Sequence, residues 1–176
     1  MYCPSCGFEN IDGEDFCSEC NESLTSVQPR PTRKSGMERL LESETLAALQ
    51  PARPVCVDPT TKMSDALRLL SEKDIGCVLV TWCDALVGIF SERDALMKVG
   101  TRYREVANEP VRHFMTPAPE TLEGDESIAF AVNRMAVGDF RHVPIEEDEK
   151  PVGIISVRDI LKYVAEQFPE ILTQKQ

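Results

Sequence analysis

The chain has 176 residues, 30 acidic against 19 basic side chains, a formal net charge of −11 and seven cysteines. A composition 42% hydrophobic and 28% charged belongs to a folded globule and excludes wholesale disorder. Apolar runs such as Val78-Leu79-Val80 fall far short of the ~20 residues a membrane-spanning helix needs. Met1-Tyr2-Cys3-Pro4 has neither the basic start nor the apolar core of a secretion signal, so a cytoplasmic protein is expected, with no membrane partner. The acidic balance argues against non-specific nucleic-acid binding, which needs a basic footprint.

Residues 1–22 hold six acids, no Lys or Arg, and four of the cysteines, Cys3, Cys6, Cys17 and Cys20. Each CxxC pair can aim two thiolates at one metal from a tight turn, and two such turns complete the sulfur tetrahedron that zinc accepts. Gly7 and Asn21, just after each pair, suit the positive φ such a turn favours. Disulfides are the alternative, disfavoured in a chain without a secretion signal. Iron is a second alternative, which would make the protein a redox component. So short a segment cannot bury enough apolar surface to fold unaided, so the metal is expected to be needed for folding. Cys3-Pro4-Ser5-Cys6-Gly7, Glu9-Asn10 and Asp15-Phe16-Cys17-Ser18-Glu19-Cys20 together resemble the short zinc-ribbon heads of many bacterial and archaeal proteins. The resemblance implies a closed, structural zinc site on a head that docks a partner protein.

Residues 23–36 read as a flexible linker with two prolines and Arg30, Arg33 and Lys34, whose three charges are thin support for a nucleic-acid role. Residues 37–49 read as a helix leading into the body, or as a dimerisation element.

The body is a duplication. Sliding it against itself by 65 residues gives 12 identities over positions 54–99, half of them in the run 87–94. Each unit is predicted as β-α-β-β-α. Short strands at 54–57 and 120–122 come first. Amphipathic helices follow, with Met63, Ala66, Leu67 and Leu70 on one face, matched by Ile128, Ala131, Val132 and Met135. Strand pairs 77–81 with 86–90, and 142–145 with 152–155, flank hairpin tips at 82–85 and 146–150. A final helix starts near Ser91 or Ser156. Cys56 and Cys77 are expected as small core residues, Glu146–Glu149 as a solvated turn, and His113 as structural.

Gly88-Ile89-Phe90-Ser91-Glu92-Arg93-Asp94-Ala95-Leu96, its twin Gly153 to Leu161, Asp139-Phe140-Arg141-His142-Val143-Pro144-Ile145 and Phe114-Met115-Thr116-Pro117-Ala118-Pro119 resemble the signature of CBS domains, named after cystathionine β-synthase. The resemblance covers roughly residues 45–172. It implies an α+β fold, a tandem CBS pair that binds adenosine-containing ligands in clefts between the copies. The expected organisation is a zinc ribbon (1–22), the linker (23–36), a lead helix with the first CBS domain (37–106), the second (107–172) and a tail (173–176).

Ser-x-x-Asp at a helix start reads locally as a capping box. The resemblance adds that Asp94 and Asp159 accept the ribose hydroxyls, with Ser91 and Ser156 beside them. It also implies that Arg141 and His142 meet phosphate, and that Thr116 and Ala118 line a cleft. Arg93 and Arg158 face phosphate or sit on a solvated helix turn. The first repeat has Gly76 and Cys77 where the second has Arg141 and His142, and Pro51 where the other has Thr116. The two clefts are therefore expected to be unequal, with one weak or empty.

No nucleophile elbow, phosphate loop or open metal site is visible, so no enzyme is expected. The leading expectation is a non-catalytic regulatory module, a homodimer, binding an adenosine nucleotide of the AMP, ADP or ATP class while its zinc ribbon engages a protein. The competing one is an oligomerisation or interaction scaffold that needs no ligand.

Overall fold

The computed structural model describes residues 3, 5–10, 14–24 and 35–169. Most of the predicted linker, with Arg30, Arg33 and Lys34, and the tail 173–176 lie outside the described residues. The chain divides into two compact units, 1–39 and 40–176.

In the first unit two similar knuckles carry the cysteines. Gly7 N–H donates to the Cys3 carbonyl (2.9 Å) and Asn21 N–H to that of Cys17 (2.8 Å). Gly7 and Asn21 have φ of +74° and +59°, the left-handed backbone their residue types suggested. Phe16 bridges Ser23, and Leu24 N–H donates to the Asp15 carbonyl at 2.8 Å. Leu24 is buried with Cys3 and Cys17, so the folded head reaches two residues beyond the boundary at 22 read from the sequence.

Helix α1 (Gly36–Ser43) opens on Ser35, whose Oγ accepts from Glu38 N–H while Glu38 accepts from Ser35 N–H, a reciprocal cap. The predicted 37–49 helix breaks after Ser43 and resumes as a 3-10 turn, Leu46–Leu49. Leu46 is fully buried, and the core it joins belongs to the second repeat, not the first.

The second unit repeats its elements at the 65-residue offset. In the first repeat these are β1 (Cys56–Val57), α2 (Met63–Lys73), β2 (Cys77–Trp82), β3 (Ala85–Ser91) and the single turn α3 (Glu92–Asp94). A short helix α4 (Tyr103–Val106) and strand β4 (Thr116–Pro117) join it to the second repeat, α5 (Ile128–Gly138), β5 (His142–Glu147), β6 (Lys150–Ser156) and α6 (Val157–Gln167). The second copy of β1 is a single parallel bridge, Leu122 to Ile145.

Helical spacing puts Met63, Ala66 and Leu70 of α2, and Ile128, Ala131 and Met135 of α5, into the cores. Both helices end on an aspartate in the left-handed region, Asp74 and Asp139, which a short polar side chain tolerates. Both hairpins turn on two left-handed residues, Cys83-Asp84 and Asp148-Glu149, the two-residue connection that matches strand twist.

Each repeat has its own core. Val57, Val78, Val80, Phe90 and Val99 in one correspond in register to Leu122, Val143, Ile145, Ile155 and Val164 in the other. Between them lie Cys77, Leu79 and Ile89, with Ile154 against them. Cys77 is a core residue as expected, but Cys56 is exposed, because β1 is too short and peripheral to cover it.

The lead-in of each repeat crosses to the other. β4, at the entry to the second repeat, pairs antiparallel with β3 of the first (Gly88↔Pro117, Ile89↔Thr116). Ala52, at the entry to the first, exchanges backbone hydrogen bonds with Ile154 of the second (3.0 and 3.1 Å). The repeated glycine makes this close approach feasible. A Cβ on Gly153 would sit 2.8 Å from Pro51 Cβ, and one on Gly88 would overlap Met115 Sδ.

Candidate functional sites

The four N-terminal cysteine sulfurs all lie within 4.8 Å of one another. Cys3 Sγ is 3.5 Å from Cys20 Sγ, and Cys6 Sγ is 3.7 Å from Cys17 Sγ. Metal–sulfur bonds of about 2.3 Å in a tetrahedron give sulfur–sulfur edges of about 3.8 Å, whereas a disulfide needs about 2.05 Å. The donor set therefore fits a tetrahedral metal. Backbone N–H groups of Cys20 and Glu19, with the Asn10 amide, pull the Cys17 thiol down to about 6 against the effect of burial, while the neighbouring sulfurs of Cys6 and Cys3, with burial, push Cys20 up to about 12.

Asn10 holds the two knuckles together. Its Oδ1 accepts from Ser18 N–H (2.9 Å) and Ser18 Oγ (3.0 Å), while its Nδ2 donates to the Phe8 carbonyl (3.0 Å) and reaches Cys17 Sγ (3.5 Å). In the sequence Asn10 is only part of a pattern; its burial gives it a supporting role around the sulfurs.

In the second unit, both Ser-x-x-Asp runs form full capping boxes. At the first, Ser91 N–H (2.9 Å) and Oγ (2.7 Å) both donate to Asp94 Oδ2, and Asp94 N–H returns a bond to Ser91 Oγ (3.3 Å). At the second, Ser156 N–H (2.7 Å) and Oγ (2.6 Å) donate to Asp159 Oδ2, with Asp159 N–H on Ser156 Oγ (3.3 Å). The two helix starts differ in everything beyond this.

Asp94 is buried and its second oxygen is taken. Lys98 Nζ lies 2.7 Å from Oδ1, and the Thr116 hydroxyl donates to the same oxygen at 3.3 Å. Lys98 also donates to the Phe114 carbonyl at 2.8 Å and meets Thr116 Oγ1 at 3.4 Å. Burial alone would raise the Asp94 carboxyl, but the bonds from Lys98 and Ser91 outweigh it and hold the group below the usual carboxylate range. Lys98 gave no sequence signal beyond lying four residues after Asp94, and the segment that holds it, Ala95–Val99, is a π-helix in place of a regular one.

Asp159 is exposed, and among the described residues no cation reaches it. Its surroundings carry positive charge nonetheless. His142 pairs with Ser156 in the β5–β6 register, Arg141 precedes it, and Arg158 precedes Asp159. Neither arginine forms an ion pair among the described residues. Burial holds His142 below its usual 6.5 although the Glu92 and Asp159 carboxylates oppose this. At neutral pH it is thus an uncharged hydrogen-bonding group. Its ring packs against Gly76 of the first repeat, where a Cβ would overlap it.

The residues singled out from the sequence therefore divide between two places. Thr116, with Ala118 two residues on, comes to Asp94 and Ser91 because β4 crosses over; Ala118 takes a φ of +43° and donates its N–H to the Val87 carbonyl. Arg141, His142 and Arg158 gather with Asp159 and Ser156. Arg93 bonds the Asp139 carboxylate (2.9 Å) and carbonyl (3.0 Å), tying the first repeat to the end of α5. His113 is a surface group 3.2 Å from Glu109 Oε2. A broad surface groove of about 1080 Å³ lies elsewhere, between the loop 121–126 and the turn at 146–149, and its wall of carboxylates would repel a phosphate.

Two β-α-β-β-α units with exchanged lead-ins and paired Ser-x-x-Asp helix starts define a tandem regulatory-domain architecture. The CBS domain family model matches residues 49–100 and 111–166, more than half of the chain, so the protein belongs to the CBS-domain family and carries two copies. The chain is 26% identical over 118 residues to the CBS domain-containing protein CBSCBSPB5 of Arabidopsis thaliana, a match covering 66% of this chain and 22% of that protein. Among solved structures it is similar to the CBS-domain containing protein ATU1752 from Agrobacterium tumefaciens, with a TM-score of 0.64 and 29% identity over 68% of this chain and 98% of that one. It also shares its fold with CBSX2, solved in complex with AMP (TM-score 0.61, 23% identity, 71% and 98% covered). Among the described residues no helix is long and apolar enough to cross a membrane.

Proposed function

We propose that this chain is a non-catalytic regulatory module whose CBS pair binds an adenosine nucleotide of the AMP, ADP or ATP class. The observation that carries the reading is Asp159: a carboxylate fixed by its own capping box, with one oxygen uncommitted, beside two unpaired arginines and a neutral histidine. Its free oxygen accepts ribose hydroxyls, while Arg141, Arg158 and His142 meet the phosphate. Ser91, Arg93, Asp94, Thr116 and Ala118 form the matching half of the pair. The AMP held by CBSX2, a protein of the same fold, is consistent with this ligand class. Calorimetry with AMP, ADP, ATP and S-adenosylmethionine tests it: saturable heat with at least one nucleotide is expected, and none with any of them refutes it.

The cysteine head is assigned a structural zinc ion held by Cys3, Cys6, Cys17 and Cys20, in a head that folds on the metal and docks a partner protein. Zinc supplies a closed tetrahedral cross-link between the two knuckles, and Asn10 supports Cys17. Metal analysis with an absorption spectrum separates zinc from iron, since a ferric tetrathiolate is coloured. The free thiols of this cluster suit a reducing compartment such as the cytoplasm.

Leu96 and Leu161 occupy the same repeat position and are 75% and 63% exposed, with Met97 beside the first at 80%. A second copy of the chain is assigned to these exposed apolar side chains, giving a homodimer. Light scattering should report a dimer that Leu96→Glu with Leu161→Glu dissociates.

A further inference from the structure

The two helix starts offer a ligand very different things. Asp159 presents a free oxygen, whereas the corresponding oxygen of Asp94 is closed by Lys98. We infer that Lys98 is an internal lock on the first cleft: its ammonium occupies the place on Asp94 that a ribose hydroxyl would take, so the pair binds its nucleotide at Asp159 alone. This rests on the nucleotide reading above and goes further by fixing the number of sites and the residue that sets it.

Four donors saturate the Asp94 carboxylate, Ser91 N–H and Oγ on one oxygen and Lys98 with Thr116 on the other. A ribose hydroxyl would have to displace a full positive charge from the carboxylate, giving up an ion pair of 2.7 Å for a hydrogen bond from an uncharged donor. It would have to do so against a competitor tethered four residues away in the same chain. Lys98 is not held in reserve for phosphate either. An ammonium has three donors, and Asp94 Oδ1, the Phe114 carbonyl and Thr116 Oγ1 supply three acceptors at 2.7, 2.8 and 3.4 Å. Thr116, the other polar group of this cleft, is spent on the same cluster. In the second repeat the position of Lys98 is held by Tyr163, whose hydroxyl is engaged with Glu44 and carries no cation to Asp159.

The test is AMP stoichiometry by isothermal titration calorimetry on the full, zinc-loaded chain. Wild type should bind one AMP per chain, and Asp159→Ala should bind none. Lys98→Met, and Lys98→Tyr, which gives the first repeat the residue of the second, should each bind two. The double variant Lys98→Met/Asp159→Ala should regain one. Two AMP per wild-type chain, or residual binding in Asp159→Ala, overturns the lock while leaving the nucleotide reading intact, and needs no Lys98 variant to fold. Weaker binding in Lys98→Met, or stoichiometry unchanged at one in a variant whose circular dichroism matches wild type, also overturns it. No heat in any of these proteins refutes the nucleotide reading itself, and the lock with it.

Discussion

The two repeats begin their final helix with the same four-residue capping box and then part company. In the second, α6 runs unbroken from Val157 to Gln167. In the first, α3 stops after one turn and passes into a π-helix, Ala95–Val99, which Gly100 ends with a φ of +21° and ψ of −110°. Gly100 stands where α6 has Ala165, the best helix former replaced by nearly the worst. A duplicated sequence thus keeps the feature that starts a helix and loses the residues that continue it. Local capping is robust to divergence, and helix propagation is not.

The largest effect should come from the paired cores: Phe90→Ala and Ile155→Ala, at equivalent buried positions, should cost about 3–5 and about 2–5 kcal/mol respectively in urea unfolding. Either variant should still unfold in one transition, because Cys77, Leu79 and Ile89 lie in a cluster with Ile154 of the second repeat. Two separate transitions would show that the repeats are independent domains. Next, Asp159→Ala should lose detectable nucleotide binding, because several hydrogen bonds to a charged group, each worth about 1.5–3 kcal/mol, disappear together. An unchanged dissociation constant would remove the second cleft from the functional account.

A smaller effect separates the helices. Ala165→Gly should cost about 1 kcal/mol of thermal stability. The reverse change, Gly100→Ala, should not restore that gain, because the backbone at Gly100 lies where an alanine is strained although the space around it is open. Stabilisation by Gly100→Ala would mean the first helix is broken by composition alone. The smallest effect is in pH. His142 has a folded pKa below its unfolded value, so the unfolded chain binds more protons as pH falls through about 6.5, and stability should decline there. In the first repeat the same position is Cys77, whose thiol is pushed up to about 12 by burial, then by Glu92 and Asp94, and does not titrate in this range. Denaturation midpoints between pH 7.5 and 5.5 should therefore flatten in His142→Cys, and an unaltered slope would assign the pH dependence elsewhere.

Much of this was legible in the sequence because the repeat printed it twice. The core positions, both capping boxes and the hairpin turns keep the 65-residue register, and each follows from short-range rules of periodicity and turn chemistry. Three things were not legible. Leu46 looked like part of a lead helix for the first repeat, but the chain crosses and buries it in the second, a tertiary choice no local pattern encodes. Cys56 looked like core because it lies in a strand, yet that strand is two residues long and leaves it exposed. Lys98 carried no signal of its role, since its partners Phe114 and Thr116 arrive from across the fold. The sequence led to the expectation of unequal clefts, one weak or empty, from Arg141, His142 and Thr116 taken together; the structure brings Thr116 to Asp94 and His142 to Ser156.

The crossed lead-ins have a kinetic consequence. Ala52 must meet Ile154 and β4 must meet β3 before either edge is closed, and the first of these contacts joins the opposite ends of the duplicated region. Each hairpin with its neighbouring helix can form early from nearby residues, while the closing contact encloses almost the whole module as a loop and comes late. Until then both glycine-faced strand edges stand open to a lead-in from another molecule of the same sequence. During synthesis the first repeat leaves the ribosome with its Ala52 edge unmet, so at high concentration exchange between chains is the misassembly this topology invites.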